Sequence, residues 1–422
     1  MSRFAALMLL AASAPLAASA PPAPATGWPQ FGGPSRDFRV DSPALSAWGA
    51  NGPTKLWERE LGEGYSEIAA AEGVLFTQYR PLAWLGFSTR DEEVAIAIDA
   101  ATGRTLWERR HPAVFLPSMN MEHGPGPHAT PLLADGRVFT VGVVGHLQAL
   151  DQKTGGVLWS RDLWKELGGT VMDRGYSCSP LAWRDTLIVA VGGEGQALVA
   201  LDQSKGTVRW KSQSIELSPS SPVLVDVAGQ EQLVFFAAGE VLGLDPATGA
   251  RLWSHPHATS YGLNIALPVT GEDGLLVVSS AYSGGTRALR LSRDGGTTKV
   301  KELWFTNQMR VHHGNLIRIG DHLYGSSGDF GPAPLTAVDV RTGDVVWKDR
   351  AFAKATLVLA DGRLIVLDED GDLGLVAVSP DGLDVQARAR VLSSRAWTAP
   401  TLVGTHLYLR DRKRMVALDL AR

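Results

Sequence analysis

The sequence predicts an all-β fold, an eight-bladed β-propeller of four-stranded antiparallel blades, and three observations support this. A motif of the form Leu-Asp-x-x-Thr-Gly-x-x-x-Trp recurs along the 422-residue chain. The segments between its copies are short β-branched runs separated by turn residues. The two ends of the chain carry complementary halves of one repeat. A β-patterned repeat of about 40–50 residues is typical of propeller blades.

The spacing of the motif predicts the number of blades. In five copies the tryptophan lies eight residues after the aspartate: Asp99 and Trp107, Asp151 and Trp159, Asp202 and Trp210, Asp245 and Trp253, Asp339 and Trp347. Two degenerate copies begin at Ser292, with Trp304 after an insertion, and at Ser379, which has lost its tryptophan. An eighth copy starts at Asp419. The successive markers are 52, 51, 43, 47, 47, 40 and 40 residues apart, so we predict eight blades within 54–422.

Each repeat predicts four strands. The innermost strand is marked by small or polar residues before a proline, as in His128-Ala-Thr-Pro131, Cys178-Ser-Pro180, Ser220-Ser-Pro222 and Thr398-Ala-Pro400. Two apolar strands, the aspartate turn and the tryptophan strand follow. In the turn we expect the aspartate to accept backbone N–H bonds and the glycine to adopt positive φ. We expect the tryptophans to pack between blades, with each indole N–H bonded to the next blade's backbone.

The chain ends predict how the ring closes. Trp57 resembles the last strand of a repeat, yet Gly49 rather than an aspartate lies eight residues before it. At the other end, Asp419 is followed by only three residues. We therefore expect residues near 54–60 to supply the outer strand of the final blade, which removes an exposed sheet edge. Residues 26–53 then form an N-terminal extension.

Residues 1–25 have the pattern of a secretory signal peptide. One positive charge, Arg3, precedes the apolar run Phe4–Leu16 and a series of small residues. This run is too short to span a bilayer as a helix. Cleavage after Ala20 and cleavage after Ala25 are both compatible with the sequence. We expect a periplasmic or secreted protein with no membrane span and, because no cysteine lies near the junction, no lipid anchor.

Composition and motifs exclude several functional classes. The net charge is −4 and the longest basic run is Arg412–Arg414, so no nucleic-acid partner is expected. The single cysteine, Cys178, excludes an intrachain disulfide and a multi-cysteine zinc site. No nucleophile elbow is present. The glycine-rich segment Gly192–Gly195 lies between two strand patterns, which predicts a hairpin turn rather than a phosphate-binding loop.

The repeats resemble the pyrroloquinoline-quinone (PQQ) repeat family, which includes quinoprotein alcohol dehydrogenases and the non-enzymatic assembly lipoprotein BamB. The segments Trp28–Asp37, Gly62–Ser66 and Leu323–Gly328 are similar to those of exported bacterial PQQ-binding-like propeller proteins with a BamB-like scaffold. The resemblance covers essentially the whole chain after the signal peptide. It implies the propeller fold, but the same fold carries unrelated functions.

The resemblance also implies what an enzyme of this family needs. Quinoprotein dehydrogenases carry a vicinal Cys-Cys ring, a calcium ion held by Glu, Asn and Asp side chains, and a catalytic aspartate. Here Cys178 stands alone, and no Cys-x-x-Cys-His haem motif is present. We therefore expect a non-catalytic binding protein that is monomeric, with no cofactor, no metal site and no catalytic residue. A quinoprotein-like oxidoreductase that uses PQQ with calcium is the alternative.

Residues that interrupt the repeat are the candidate functional residues. The insertion from His111 to His128 contains Glu122 and leads into an innermost strand, so it should lie over one mouth of the central channel. The pair His312 and His313 occupies the matching position of a later blade. Histidines with Glu122 have the chemistry of a metal site, but their large separation in sequence argues against one.

These positions predict a polar and aromatic funnel that binds a protein, a peptide, a sugar or another small ligand. The alternative is a water-filled channel whose polar side chains are satisfied within the protein. Because the unperturbed pKa of histidine is about 6.5, the sequence predicts pH-dependent binding in that range. The candidate ligand-binding residues are Tyr65, Ser66, His123, His128, Tyr176, Ser177, Ser220, Tyr261, Asn264, His312, His313 and Trp397.

Overall fold

The computed structural model describes residues 27–83, 88–271 and 273–421, and its strands form eight four-stranded antiparallel sheets. Each sheet is one blade of a ring, which confirms the predicted eight-bladed β-propeller. The predicted signal peptide lies outside the described residues. No helix in these ranges is long and apolar enough to cross a bilayer.

Strands are numbered β1 to β32 along the chain, and the blades are numbered from the first complete one. Blades 1 to 4 comprise β2 (Ala69–Ala71), β3 (Val74–Tyr79), β4 (Glu92–Asp99) and β5 (Thr105–Pro112); β6 (Leu132–Ala134), β7 (Arg137–Val141), β8 (His146–Asp151) and β9 (Val157–Asp162); β10 (Leu181–Trp183), β11 (Thr186–Ala190), β12 (Leu198–Asp202) and β13 (Val208–Ser212); β14 (Val223–Val227), β15 (Gln230–Phe236), β16 (Glu240–Leu244) and β17 (Arg251–Pro256).

Blades 5 to 8 complete the ring. They comprise β18 (Val269–Thr270), β19 (Leu275–Ser280), β20 (Gly285–Asp294) and β21 (Thr297–Thr306); β22 (Ile317–Ile319), β23 (His322–Ser326), β24 (Pro334–Asp339) and β25 (Val345–Ala353); β26 (Thr356–Ala360), β27 (Arg363–Leu367), β28 (Asp372–Ser379) and β29 (Gly382–Arg390); β30 (Thr401–Val403), β31 (His406–Arg410), β32 (Arg414–Asp419) and β1 (Thr54–Glu60).

The hydrophobic core lies between neighbouring blades. Middle strands such as β11 are buried along their whole length and apolar except for a first threonine, because each of their faces packs on an adjacent sheet. Outer strands such as β25 alternate between exposed and half-buried residues, because only one of their faces meets another blade. A continuous apolar run in the sequence therefore indicates a middle strand, whereas alternation of apolar and polar residues indicates an outer strand.

The motif turn forms as predicted and also explains its glycine. Asp151 Oδ1 accepts hydrogen bonds from the backbone N–H groups of Lys153 (3.1 Å) and Thr154 (2.8 Å). Gly155 has a φ of 68°, which favours glycine. A Cβ atom at Gly155 would also lie 2.6 Å from the Trp107 ring of the preceding blade. The glycine is therefore required both by its φ and by the indole that covers it.

Most motif tryptophans join one blade to the next. Six indole N–H groups donate to a backbone carbonyl of the following blade: Trp57 to Ala100 (2.9 Å), Trp107 to Gln152 (3.1 Å), Trp159 to Gln203 (2.9 Å), Trp210 to Pro246 (3.1 Å), Trp304 to Val340 (2.8 Å) and Trp347 to Ser379 (2.9 Å). This confirms the predicted packing role for these six residues.

Trp253 departs from that pattern, so the prediction is wrong for this residue. Its indole N–H donates to Gln232 Oε1 of its own blade (2.7 Å), and Gln232 Nε2 donates to Thr298 Oγ1 of the next blade (2.6 Å). The next blade carries the degenerate motif at Ser292, where β20 and β21 continue to a Gly295-Gly296 tip. No motif turn is available there, so the glutamine bridges the two blades instead.

The ring closes as predicted. β1 pairs antiparallel with β32, from Thr54 opposite Asp419 to Glu60 opposite Arg414. The N-terminal strand thus becomes the outer strand of blade 8, and its Trp57 bonds to blade 1. Residues from the two ends of the chain hold the last blade together.

The chain before β1 enters the central channel, which the sequence did not predict. We call residues 27–46 the channel plug. The backbone of Trp28 exchanges hydrogen bonds of 2.8 and 2.7 Å with Ala70 in the innermost strand of blade 1. Pro29 O accepts a bond from Leu133 N in blade 2 (2.8 Å), and Phe38 O accepts one from Leu359 N in blade 7 (2.9 Å). The plug therefore pairs with the innermost strands of three blades, two on one side of blade 8 and one on the other.

Arg36 fixes the plug to two further blades. This side chain is buried, with Nη1 donating to Pro222 O of blade 4 (2.7 Å) and Nη2 donating to Pro180 O of blade 3. Its Nε donates to Gln30 Oε1 (2.9 Å). The buried carboxylate of Glu67 accepts a bond from Gly32 N (2.9 Å), and burial raises its pKa well above the usual value. These contacts hold the plug at several points around the ring.

Candidate functional site

Six of the predicted ligand-binding residues meet at the centre of one face of the ring. We call this the upper face, where the chain enters the innermost strand of each blade. The six residues come from the segments that lead into blades 1, 2, 6 and 8. We call them the aromatic cup: Tyr65, His123, His128, His312, His313 and Trp397.

Trp397 is the centre of the aromatic cup. Its ring centroid lies 5.4 Å from that of Tyr65, at an interplanar angle of 29°, and 4.4 Å from that of His313. His123 approaches the same indole edge-on at 6.0 Å. Tyr65 in turn stacks on His128 at 5.9 Å and 9°. Side chains more than 330 residues apart in sequence thus form one set of aromatic contacts.

Hydrogen bonds fix the orientation of the two largest rings. The indole N–H of Trp397 donates to Glu369 Oε2 (3.0 Å), and the hydroxyl of Tyr65 donates to the carbonyl of His123 (2.7 Å). A Cβ atom at Gly124 would lie 3.0 Å from the Tyr65 ring. The glycine after His123 therefore allows the 111–128 insertion to approach the tyrosine closely.

The channel plug closes the cup from below. A void of about 40 Å³ separates His313 and Trp397 from Phe31 and Phe38 of the plug. The two phenylalanine rings meet edge-on at 5.5 Å. A ligand in the cup would therefore rest on a closed floor rather than pass through an open channel.

Two cationic side chains lie beside Trp397 and the carboxylate that holds it. The guanidinium of Arg395 lies 4.6 Å from the centroid of the Trp397 ring. Lys354 Nζ lies 4.0 Å from Glu369 Oε1, the carboxylate that also holds the indole. Arg395 makes no ion pair or hydrogen bond with any other described residue.

The cup histidines are neutral at physiological pH. Burial lowers the pKa of His128 and of His312 to about 4 and places that of His313 well below the usual value. Burial, followed by the charge of Arg174, also lowers the pKa of His123. Burial therefore shifts the titration of these residues below the expected range near pH 6.5, because the assembled blades remove them from water to an extent that the sequence does not reveal.

Four predicted lining residues are instead buried beneath the upper face. Ser66, Tyr176, Ser220 and Asn264 are each at most 2% exposed. Tyr176 donates its hydroxyl hydrogen to Val191 O (3.0 Å), and Asn264 Nδ2 donates to Ala237 O (2.6 Å). Ser220 Oγ donates to Ala266 O (3.3 Å), and Ser66 O accepts a bond from buried Arg410 (3.1 Å). These residues hold the connecting segments in place rather than facing the cup.

The last two predicted residues, Ser177 and Tyr261, lie away from the cup. They line a separate groove of about 500 Å³ on the upper face. Tyr261 is 66% exposed. The predicted funnel is thus divided into a central cup and an off-axis groove.

Tyr282, which the sequence analysis missed, links the groove to the cup. Its ring lies 5.0 Å from Tyr261, 4.9 Å from His312 and 5.3 Å from Phe330. Tyr282 follows the second strand of blade 5 at a φ of 51°. Turns at this position share the upper face with the segments that lead into the blades, and an aromatic residue in such a turn was the signal available in the sequence.

A buried ion pair anchors the base of the 111–128 insertion. Arg80 and Glu93 are completely buried in blade 1, with Nη2 and Oε1 3.2 Å apart. His111 Nε2 lies 3.6 Å from Glu93 Oε2, which also accepts a bond from Val143 N of blade 2 (3.1 Å). These residues position the insertion that carries His123 and His128.

The described residues do not fit the PQQ and calcium site of quinoprotein dehydrogenases. Within 27–83, 88–271 and 273–421, no group of three or more His, Cys, Asp or Glu residues is arranged to hold a metal ion. Cys178, the single cysteine, is buried, and burial raises the pKa of its thiol to about 12.

Comparison with known proteins identifies the family. The family described as "Outer membrane protein assembly factor BamB" matches residues 90–349. The chain belongs to this family. BamB of Shewanella oneidensis is 24% identical over 297 residues, which cover 67% of this chain and 71% of that protein. Quinoprotein alcohol dehydrogenase PedH of Pseudomonas putida is 26% identical over 229 residues, which cover 48% of this chain and 36% of PedH.

Solved structures share the BamB-like, PQQ-repeat propeller. BamB from Moraxella catarrhalis has a TM-score of 0.60 at 16% identity, and the match covers 87% of this chain and 99% of that chain. Quinohemoprotein alcohol dehydrogenase from Comamonas testosteroni has a TM-score of 0.61 at 13% identity, with 94% and 81% covered. At these identities the likeness shows the fold alone, because the same propeller occurs in BamB and in an alcohol dehydrogenase.

Proposed function

We propose that the protein is an exported, non-catalytic scaffold that binds a protein partner or small ligand at the aromatic cup. The observation that carries the proposal is the convergence of six side chains, from the segments that lead into four blades, in one set of ring contacts. Family membership supports a role in outer-membrane protein assembly in the bacterial envelope. A monomeric state and the absence of a nucleic-acid partner stay predictions of the sequence.

The cup has the physical properties of a binding hot spot. Its rings are held by hydrogen bonds and mutual stacking, so little side-chain entropy is lost when a ligand inserts. Aromatic rings bury a large area per residue, and the floor formed by the plug excludes water from below. The neutral histidines add apolar surface, whereas Arg395 supplies a charge at the rim.

The proposed role is tested in the source bacterium. We expect deletion of the gene to lower the amounts of outer-membrane β-barrel proteins, measured by quantitative mass spectrometry of the outer membrane. The wild-type gene should restore them, whereas Trp397→Leu should not. Trp164→Leu, at an exposed tryptophan that does not belong to the cup, is the matched control and should restore them.

Two outcomes would contradict the scaffold proposal. If Trp397→Leu fully restores the amounts of outer-membrane proteins, the cup is not needed for the function. This conclusion requires that both variants reach wild-type levels in the envelope. Unchanged outer-membrane protein amounts in the deletion strain would remove the assembly role. The melting temperature of each purified variant shows whether a failure to complement reflects lost folding.

A PQQ-dependent oxidoreductase is the second candidate, and the similarity to PedH favours it. Adding PQQ with calcium to the purified protein tests this candidate by absorbance, melting temperature and dye-linked alcohol oxidation. The scaffold proposal predicts no stable complex and no oxidation. A tight complex with alcohol-dependent dye reduction would establish the oxidoreductase instead.

A further inference from the structure

We propose that the off-axis groove of the upper face is a binding site for a neutral oligosaccharide, separate from the aromatic cup. The groove is lined by residues 170–175, 177, 192–194, 214–217, 219 and 261–263. These segments lead into blades 3, 4 and 5 or form the hairpin of blade 3. Its volume of about 500 Å³ lies in the range of small-ligand sites.

An exposed aromatic platform forms one wall of the groove. The ring of Tyr261 is 66% exposed, yet its edge-to-face contact with Tyr282, at 5.0 Å and 90°, fixes its orientation. Tyr282 is itself held by its backbone N–H, which donates to Asp329 Oδ1 (3.1 Å). A pyranose ring presents a face of C–H groups that packs on such a platform, because the aromatic face is apolar and carries negative charge density.

Four polar side chains of the groove have no partner among the described residues. The hydroxyls of Thr170 and Ser177 and the carboxylates of Glu194 and Glu216 make no hydrogen bond or ion pair with another described residue. Carboxylates accept two or more hydrogen bonds each, and hydroxyls both donate and accept. Sugar hydroxyl groups are the donors and acceptors that match this set. The lining also holds Arg174, whose charge is balanced by Asp173 at 3.9 Å. The carboxylates of Glu194 and Glu216 therefore leave the groove net negative, so a neutral ligand fits better than an anionic one.

The backbone of the groove argues against a peptide ligand. A peptide commonly binds by adding a strand to an open sheet edge. Here the walls are connecting segments and one hairpin turn, and the backbone N–H of Thr170 already donates to Val191 O (3.0 Å). A sugar chain does not need main-chain hydrogen bonds to a sheet edge. The aromatic platform, the hydroxyls and the carboxylates of the groove therefore favour a sugar over a peptide.

The test uses chitotetraose and cellotetraose, two neutral β-linked tetramers, with the purified full chain and isothermal titration calorimetry. We expect at least one to bind with a Kd of about 0.1–5 mM, which corresponds to a weak single-platform site. Tyr261→Ala should weaken binding by at least about 5-fold, because the stacking surface is lost. Glu194→Gln keeps the shape of the groove and should weaken binding through the lost acceptor charge.

Two controls separate this site from the cup. Phe305→Ala removes an exposed aromatic ring on the outer strand of blade 5, outside the groove, and should leave the affinity unchanged. His313→Gln alters the cup and should leave it unchanged as well. Failure of both sugars to bind would overturn this inference without affecting the proposed function of the cup. Binding that Tyr261→Ala leaves intact, or that His313→Gln abolishes, would also overturn it.

Discussion

Single residues in the motif turn satisfy two requirements at once, and only one of them is visible in the sequence. A glycine recurs four residues after the aspartate in each regular copy of the motif, and this predicts a glycine with positive φ. The structure adds the indole of the preceding blade, which covers the glycine so closely that a methyl group has no space. The contact joins repeats about 45 residues apart, so a local pattern could not reveal it.

Gly206→Ala and Gly404→Ala should separate these two requirements. Both glycines have nearly the same φ, 63° and 62°. A Cβ at Gly206 would lie 2.6 Å from the Trp159 ring, whereas a Cβ at Gly404 would have nothing within 4 Å. We expect Gly404→Ala to lower the free energy of unfolding by about 1 kcal/mol through backbone strain. Gly206→Ala should cost about 3 kcal/mol because overpacking is added. Urea denaturation measures the free energy of unfolding of both variants. Equal losses would show that the Trp159 ring moves aside for the added methyl group at no cost in stability.

The histidines show the limit of prediction for a single residue. Their positions at the start of blades 2 and 6 predict that they gather at the channel mouth, and the structure places His123 and His313 against the same ring, that of Trp397. Their protonation depends on burial by segments from blades 1 and 8, which no local pattern reports. Residues with no counterpart in other repeats, such as Arg36 and Glu67, were missed for the same reason.

Acid should destabilise the protein through the cup histidines. The folded-state pKa of His128 and His312 is about 4, below the unfolded value of about 6.5. Between these values the unfolded chain binds more protons than the folded chain, so the free energy of unfolding falls as pH drops from 6.5 to 4. The stabilisation is complete above about pH 6.5.

Replacing both residues by glutamine removes this contribution. Between pH 6.5 and pH 4, the midpoint urea concentration of unfolding should fall less in the double variant His128→Gln/His312→Gln than in the wild type. His406→Gln, at a half-buried histidine in blade 8 away from the cup, is the matched control and should follow the wild type. Parallel pH profiles for the wild type and the double variant would contradict the lowered pKa values.

At the scale of strands, sequence prediction succeeded where the repeat is regular. The strands of blades 2, 3 and 4 follow their motif, whereas blade 5 extends β20 and β21 to ten residues each beside the degenerate copy. The altered hairpin turned Trp253 toward Gln232, which a pattern of motif residues could not show. The channel plug has no repeat to follow, and its contacts with several blades appear only in three dimensions.

Arg36 should be essential for seating the channel plug. Arg36→Ala leaves the carbonyls of Pro180 and Pro222 without this donor in a buried place. We expect a loss of about 3 kcal/mol in the free energy of unfolding. Arg39→Ala, at a side chain that is 40% exposed, should change stability by less than about 0.5 kcal/mol. Thermal and urea unfolding distinguish the two variants, and equal effects would show that the buried guanidinium contributes nothing specific.

On the scale of the whole ring, eight markers and two incomplete ends were enough to predict the architecture. Ring closure can be predicted by counting motif copies, because every strand in a closed ring must pair with a neighbour. The residues that fill the channel cannot be predicted by counting. The plug bonds to residues of five blades, so no single repeat could show that it lies beneath the cup.

Two deletions should distinguish ring closure from channel filling. Deleting residues 26–60 removes both β1 and the plug, so β32 keeps an unpaired edge and the apolar surface beside it is uncovered. We expect this protein to aggregate or to melt far below the wild type.

Deleting residues 26–46 removes the plug alone and keeps β1, so the ring should stay closed and monomeric. It should nevertheless melt lower, because Trp28 and Phe38 lose their buried contacts. Size-exclusion chromatography with light scattering and differential scanning calorimetry measure both outcomes. A monomeric 26–60 deletion with an unchanged melting temperature would show that β1 does not close the ring, and an unchanged melting temperature after the shorter deletion would show that the plug adds no stability.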